Sequence, residues 1–367
     1  MRRKQTLWMM MAAGTALTGL TACQNGDDGA AVGAAATAQR VEIRLAASVG
    51  AADDGQLCLG AAEATASSAR TTRSFDATNL QAGDTCYVWA DMVNGSTQAV
   101  TDYFKAWTLI ADGNGGLSPQ QNGNTKLFPA TNVLNFYALV GNFGRDTEDQ
   151  PMVTPETQDL PTEGITHTVL ADQTTAGSYY KSDLLYAVKA GQEPISEAVV
   201  LPLQHLLCRI QVVLVAGNGM TTTDLSGATV KLLDLKRQVI FKPDTTKDAS
   251  VRTNLAAMLS IPETSQHSDM LMPTNSVAQS ADATATGSTV YADAIVVPQT
   301  IAEGTPLIEV SYLGRTTYYT VPTGGLELKS GKQYRFRLIA DRIGASYSIT
   351  PEIDDWTPTG GSIWAEE

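Results

Sequence analysis

The chain has 367 residues, 43% hydrophobic and 17% charged, with 25 Lys and Arg against 38 Asp and Glu and a net charge of −13. That is material for two domain-sized cores rather than a disordered chain. The acidic balance makes nucleic acid a poor partner, and three histidines leave little for a His-built metal or acid–base centre.

At the amino terminus Arg2, Arg3 and Lys4 precede the apolar stretch from Leu7 to Leu20, and Leu20-Thr21-Ala22-Cys23 follows. A charged start, an apolar run and small residues before a cut are the parts of a secretory signal, which is set aside from the fold. With a cysteine where the cut falls, the stretch resembles a bacterial lipoprotein signal with its lipobox. That resemblance implies removal of residues 1–22 and lipidation of Cys23. Gln24 follows rather than Asp, and the pair Asp27-Asp28 resembles signals that send lipoproteins to the surface of the outer membrane. Loss of Arg2, Arg3 and Lys4 takes the net charge to −16. No other segment reaches about 18 consecutive apolar residues, so lipid alone is expected to hold the mature chain.

Residues 23–40 are small and polar and read as a flexible tether. Val41-Glu42-Ile43-Arg44-Leu45 alternates apolar with charged, the period of a half-buried strand. Residues 50–74 are small and polar again and contain Arg70 and Arg73. Strands are predicted over 85–90, over 104–110 running into the turn Asp112-Gly113-Asn114-Gly115, and over 133–140. The last is a continuous apolar run suited to burial on both faces. Residues 144–164 carry Pro151, Pro155 and Pro161 and predict a long exposed loop.

Strands resume at 182–188 and 198–203, with Gly191-Gln192-Glu193-Pro194 between them as a domain boundary. Further strands are predicted at 206–215, 230–235, 239–241, 294–297, 307–312, 318–321, 333–340 and 346–353. Many short strands, frequent turn signals and no amphipathic helix indicate an all-β chain of stacked antiparallel β-sandwiches. The expected division is 41–195 for an N-terminal sandwich and 196–367 for a C-terminal one.

Three cysteines remain after the signal. Cys58 and Cys86 are able to bridge in an oxidising envelope, whereas Cys86 and Cys208 lie inside apolar strand runs. No C-x-x-C spacing exists, so zinc and thiol redox chemistry have no support.

Several short stretches suggest a family. They are Ser182-Asp183-Leu184-Leu185-Tyr186, Pro202-Leu203-Gln204-His205-Leu206-Leu207-Cys208-Arg209-Ile210, Ile295-Val296-Val297-Pro298-Gln299-Thr300, Ser330-Gly331-Lys332-Gln333-Tyr334 and Ile353-Asp354-Asp355-Trp356. In this order, behind a lipobox, they resemble the fimbrillins, subunits of the type V pili of Bacteroidia-type bacteria. The resemblance implies two tandem transthyretin-like sandwiches exported as a lipoprotein. It implies an arginine-directed cut that removes the first strand, and a C-terminal strand of the next subunit that fills the groove. Val41 to Val49 then corresponds to the removable strand, with Val41, Ile43, Leu45 and Val49 as its apolar residues. Arg70 or Arg73 corresponds to the cut, Arg40 and Arg44 being the alternatives because the intervening stretch is long. The donor lies within 345–367, although Ile363-Trp364 before two glutamates is a short apolar tail.

The implied role is a non-enzymatic fimbrial subunit on the outer-membrane surface that supports adhesion. Its partners are other subunits, the membrane through its lipid, and a host protein or glycan, with no nucleic acid and no cofactor or metal. The competing reading is a surface glycan-binding lipoprotein in which Trp89, Trp107, Trp356 and Trp364 stack sugars, although strand tryptophans are more often core. Asp112-Gly113-Asn114-Gly115-Gly116 begins like a calcium loop but lacks the later ligands. His205 reads as a core residue. His167 and His267 show no partner, and Asp354-Asp355 reads as a solvated strand end.

Overall fold

The computed structural model describes residues 41–49, 79–144, 153–225, 227–243, 255–277, 289–342, 345–347 and 351–356. The signal, Cys23, the tether, Cys58, Arg70, Arg73 and Trp364 lie outside these residues.

The chain is built from short strands, as expected. β1 (Leu45–Val49), β2 (Thr85–Val93), β3 (Val100–Ala111), β4 (Gly116–Pro119) and β5 (Val133–Val140) come first. β6 (Ile165–Thr168), β7 (Leu185–Gln192) and β8 (Val199–His205) follow. All except β6 close into a ring, in the order β1-β4-β3-β2-β5-β7-β8. The Gly191–Pro194 turn therefore joins two neighbouring strands of one ring. Gly and Pro mark a turn between strands of one sheet as readily as a linker, and the chain leaves the ring after His205. The helix α1 (Ala176–Lys181) was not anticipated. Its Thr175 cap accepts from the Ser178 N–H, and the Ser178 hydroxyl reaches back to the Thr175 N–H, a reciprocal pair that suits a short helix.

The remaining strands are β9 (Cys208–Ala216), β10 (Thr229–Lys236), β11 (Gln238–Phe241), β12 (Leu259–Ser260), β13 (His267–Met272), β14 (Thr274–Val277) and β15 (Thr289–Val296). After them come β16 (Gln299–Ile301), β17 (Pro306–Tyr312), β18 (Arg315–Thr320), β19 (Leu326–Leu328), β20 (Lys332–Ala340), β21 (Ala345–Tyr347) and β22 (Glu352–Asp355). They form the sheets β14-β15-β9-β20-β21, with β22 also on β20, and β13-β10-β17-β18, together with the pair β16-β19. The third small sheet, β12-β11-β6, recruits β6 from before the ring is complete.

From Arg40 onward the chain is one compact unit with two apolar cores. One fills the ring and includes Ile43, Leu45, Val88, Phe104, Trp107, Phe136 and Leu201. The other lies among the later sheets and takes Trp89, Tyr137, Leu139 and Tyr186 from the outer face of the ring. Because side chains alternate along a strand, β5 sends Leu134, Phe136 and Ala138 into the first core and Tyr137 and Leu139 into the second. This strand, apolar but for the buried Asn135, which accepts from the Gly191 N–H, is thus buried on both faces, as its sequence predicts. The described part of the proline-rich segment, residues 153–164, is less exposed than expected. Val153 is buried, the Trp89 indole donates to the Gln158 carbonyl at 2.8 Å, and the Glu156 N–H donates to the Ala106 carbonyl. The tryptophans need such acceptors because a buried indole N–H is costly when unpaired.

Candidate functional site

From Val41 to Val49 the odd-numbered residues are buried or half-buried and face inward, while Glu42 and Arg44 face water. Ile43, Leu45, Ala47 and Val49 are each no more than 4% exposed. The strand is held from two sides. It runs parallel to β8, Leu45 opposite Val199 through Val49 opposite Leu203, and antiparallel to β4, Leu45 opposite Leu117. Before β1, Ile43 donates to Lys126 and Phe128 donates to the Val41 carbonyl, both at 2.8 Å. β1 is therefore the seam that closes the ring. Without it, β4 and β8 face each other as unpaired edges across four apolar pockets, a template for another strand.

Of the candidate site residues, the strand residues Val41, Ile43, Leu45 and Val49 come together in this seam. Cys23, Arg70 and Arg73 lie outside the described residues. At the other end of the chain β22 pairs β20 antiparallel, Glu352 opposite Arg335 through Asp355 opposite Lys332. Its four residues are exposed. Asp355 is paired with Lys332, and the Arg335 guanidinium lies 3.1 Å from Glu352 and 4.0 Å from Asp354. Asp354-Asp355 is a solvated strand end with cationic neighbours. Trp356, just after it, is buried.

The first described strand and the last described residue, Trp356, meet at one cavity of about 40 Å³. Val49, Leu80, Asp84, Tyr179, Asp183, His205 and Trp356 are among its lining residues. His205 Nδ1 donates to Asp183 Oδ2 at 2.8 Å, and its ring stacks on Trp356. This is packing of a hydrogen-bonded histidine, as its apolar surroundings suggest. His167 departs from expectation. It is fully buried, its Nδ1 accepting from the Asn142 N–H and its Nε2 donating to the Ser182 carbonyl, each at 3.0 Å. Burial drives its pKa down to about 4, so it is a neutral structural ring. Its backbone partners leave no mark in local sequence. His267 bonds the Asp234 carbonyl at 3.0 Å.

The second core hides an ion pair. Arg209 on β9 bonds Asp293 on β15 through Nε at 2.9 and 3.0 Å and Nη2 at 2.5 Å. Its Nη1 donates to Gln333 on β20, and the Tyr179 hydroxyl donates to Asp293. The arginine of Cys208-Arg209-Ile210 thus stitches three strands and a helix. Cys86 and Cys208 are free and buried. Burial pushes the Cys86 thiol up to about 12, so inside the ring it is inert. Cys58, the partner considered from sequence, lies outside the described residues. Asp112 Oδ1 accepts from the N–H groups of Asn114 and Gly116, which makes that motif a hairpin turn, with Gly113 and Gly115 at positive φ. Trp89, Trp107 and Trp356 are 3%, 2% and 7% exposed. None of the three presents a face to a sugar. Among the described residues no group of three His, Cys, Asp or Glu is placed to hold a metal, and no helix is long and apolar enough to cross a membrane.

A family model described as Fimbrillin-like matches residues 72–356. Curated proteins provide no match. Among solved structures, a candidate cell adhesion protein of Bacteroides ovatus aligns at TM-score 0.55 and 17% identity, over 86% of this chain and 98% of its own. One of Bacteroides uniformis aligns at TM-score 0.50 and 16% identity, with the same coverage. Both likenesses concern the fold. The tip fimbrial protein Mfa3 of Porphyromonas gingivalis aligns at TM-score 0.41 and 10% identity, over 86% of this chain and 99% of its own, a likeness too low to add to the argument.

Proposed function

The chain belongs to the fimbrillin-like family, and from that premise we propose that it is a lipid-anchored subunit of a cell-surface fimbria, assembled by exchange of its first strand. The observation that carries the exchange is the seam. β1 is short, lies next to the chain's amino-terminal segment, and alone separates β4 from β8. Burial of Ile43, Leu45 and Val49 contributes about 1.5–3 kcal/mol each, so an uncut strand holds its own groove against any competitor. A cut at Arg70 or Arg73 turns it into a separate peptide and removes its high effective concentration, whereas a cut at the alternatives Arg40 or Arg44 leaves Leu45–Val49 joined to the body. A strand of a second subunit, drawn from residues 345–367, then takes the place with the same backbone pairing. Cys23 carries the lipid that displays the subunit on the outer membrane. Two sandwich-like halves, meeting where the chain leaves the ring, form the body of the subunit, and its partners are further fimbrial subunits.

The test combines trypsin-like cleavage of the purified protein with electron microscopy and mass spectrometry. Fibres or ladders that appear together with loss of residues 41–49 support exchange. Replacing Arg70 and Arg73 by Ala is expected to leave a folded, full-length monomer. Ladders from that double mutant show that the cut lies elsewhere, with Arg40 and Arg44 next to test, and polymers that retain β1, as cuts at those two would leave it, reject exchange. For the anchor, Cys23→Ser is expected to release the protein from membranes.

A further inference from the structure

A second cavity, of about 290 Å³, opens beside the small one and shares Asp84, Val140 and Tyr180 with it. Most of its walls come from three places. The turn before β2 supplies Gly83 and Asp84, and β2 itself supplies Thr85 and Tyr87. The residues that follow β5 supply Asn142 and Phe143, and the end of α1 supplies Tyr180 and Lys181. The cavity volume lies at the lower end of small-molecule sites, where aromatic walls and a few polar groups set ligand choice. Gly141 also lines the cavity, and an added Cβ there would come within 3 Å of Phe143, His167 and Leu184.

The chemistry of the walls restricts the occupant. Tyr87 and Tyr180 are half-buried, and the Tyr87 ring lies 6.2 Å from that of Phe143. These rings offer apolar faces. Asp84 holds its turn by accepting the Gln81 N–H at 3.0 Å. Burial pushes its carboxyl up, the Asp183 charge adding to this and Lys181 opposing it. A carboxyl in such surroundings gains from hydrogen-bond donors. An anion meets the Asp84 carboxylate here, and a cation meets Lys181 already in place. What remains is a neutral molecule with hydroxyl donors on one edge and C–H groups on its face.

We propose that this cleft is a saccharide-binding site that takes one pyranose ring, with Asp84 accepting its hydroxyls and the tyrosine rings covering its face. The site is separate from the buried tryptophans and does not depend on how the subunit polymerises. Its location on the outer side of the ring leaves β1 and the seam free.

The test is saturation-transfer NMR on the full chain with methyl glycosides of glucose, galactose, mannose and N-acetylglucosamine, each at about 10 mM, a range suited to millimolar affinity. Inorganic phosphate and Nα-acetyl-lysine methyl ester are the charged controls. At least one glycoside is expected to bind, with transfer strongest at the C–H protons of one ring face. Asp84→Asn should weaken that binding at least tenfold. Tyr180→Leu should abolish it while Tyr180→Phe keeps it, with circular dichroism and the denaturation midpoint showing each variant folded. Binding of phosphate or the lysine ester alone overturns the proposal. So does a glycoside signal that survives both Asp84→Asn and Tyr180→Leu, or no glycoside signal at all.

Discussion

The rings of His205 and Trp356 lie face to face, their centroids 3.7 Å apart and their planes 9° from parallel. His205 ends β8, the strand that carries β1 on its flank, and Trp356 follows β22, the exposed strand near the carboxyl terminus. The Trp356 backbone N–H also donates to the Gly331 carbonyl at 2.8 Å. The indole covers the His205–Asp183 hydrogen bond and is the one buried side chain of its segment, since β22 itself is exposed.

Trp356→Ala is expected to free β22 from β20. The cost is about 3–5 kcal/mol, as for other buried large-to-alanine changes. Hydrogen exchange should show lost protection at residues 352–356 before other strands open, with the denaturation midpoint falling. Ile353→Ala, which removes an exposed side chain, should stay within about 0.5 kcal/mol of wild type.

The seam gives a second contrast. Leu45→Ala removes an inward side chain and should destabilise by about 2–5 kcal/mol, whereas Ser48→Ala on the outer face should be nearly neutral. Urea denaturation of the uncut protein measures both. After cleavage, a Leu45→Ala strand should also dissociate faster, read by mass spectrometry of the released peptide.

The buried ion pair predicts asymmetry between single and paired changes. Arg209→Met leaves Asp293 charged and buried, at a cost of about 3–5 kcal/mol. Arg209→Met combined with Asp293→Leu removes both charges and should recover part of that loss, since well-packed apolar replacements of ion pairs are often tolerated. Equal losses in the single and double variants would show that the hydrogen bonds to Gln333 and Tyr179 dominate.

His167 predicts a pH dependence with a definite sign. Its folded pKa lies near 4, below the ordinary value of about 6.5, so between these values the unfolded chain binds the proton and the folded chain does not. Stability from this residue is complete above about pH 6.5 and falls as the pH drops towards 4, by about 3 kcal/mol in all. Comparing the acid branch of urea midpoints for wild type and His167→Gln checks this, because the variant should lack that slope.

Most strands were legible because alternation and apolar runs are local properties of a chain with period two. The inward residues Ile43 and Leu45 followed from that period, Val49 from the family resemblance, and the doubly buried run 133–140 from its apolar content. Alternation also marked the solvated end at Asp354-Asp355, and the Asp-Gly-Asn-Gly residues marked the turn at Asp112. Pairing is different, because a strand's pattern states which face is apolar but not which neighbour covers it. Tertiary structure decided that Val199–His205 closes the ring beside β1 and that Ile165–Thr168 joins a later sheet. It also placed Gly191–Pro194 in a hairpin, since a turn signal does not say whether the chain returns to its own sheet. The buried histidine at 167 was unreadable for the same reason, its partners being backbone groups 15 and 25 residues away. The cleft of Asp84, Tyr87 and Tyr180 is likewise made by segments that meet only after folding. Local chemistry sets each strand's faces, and the packing of distant segments chooses what those faces enclose.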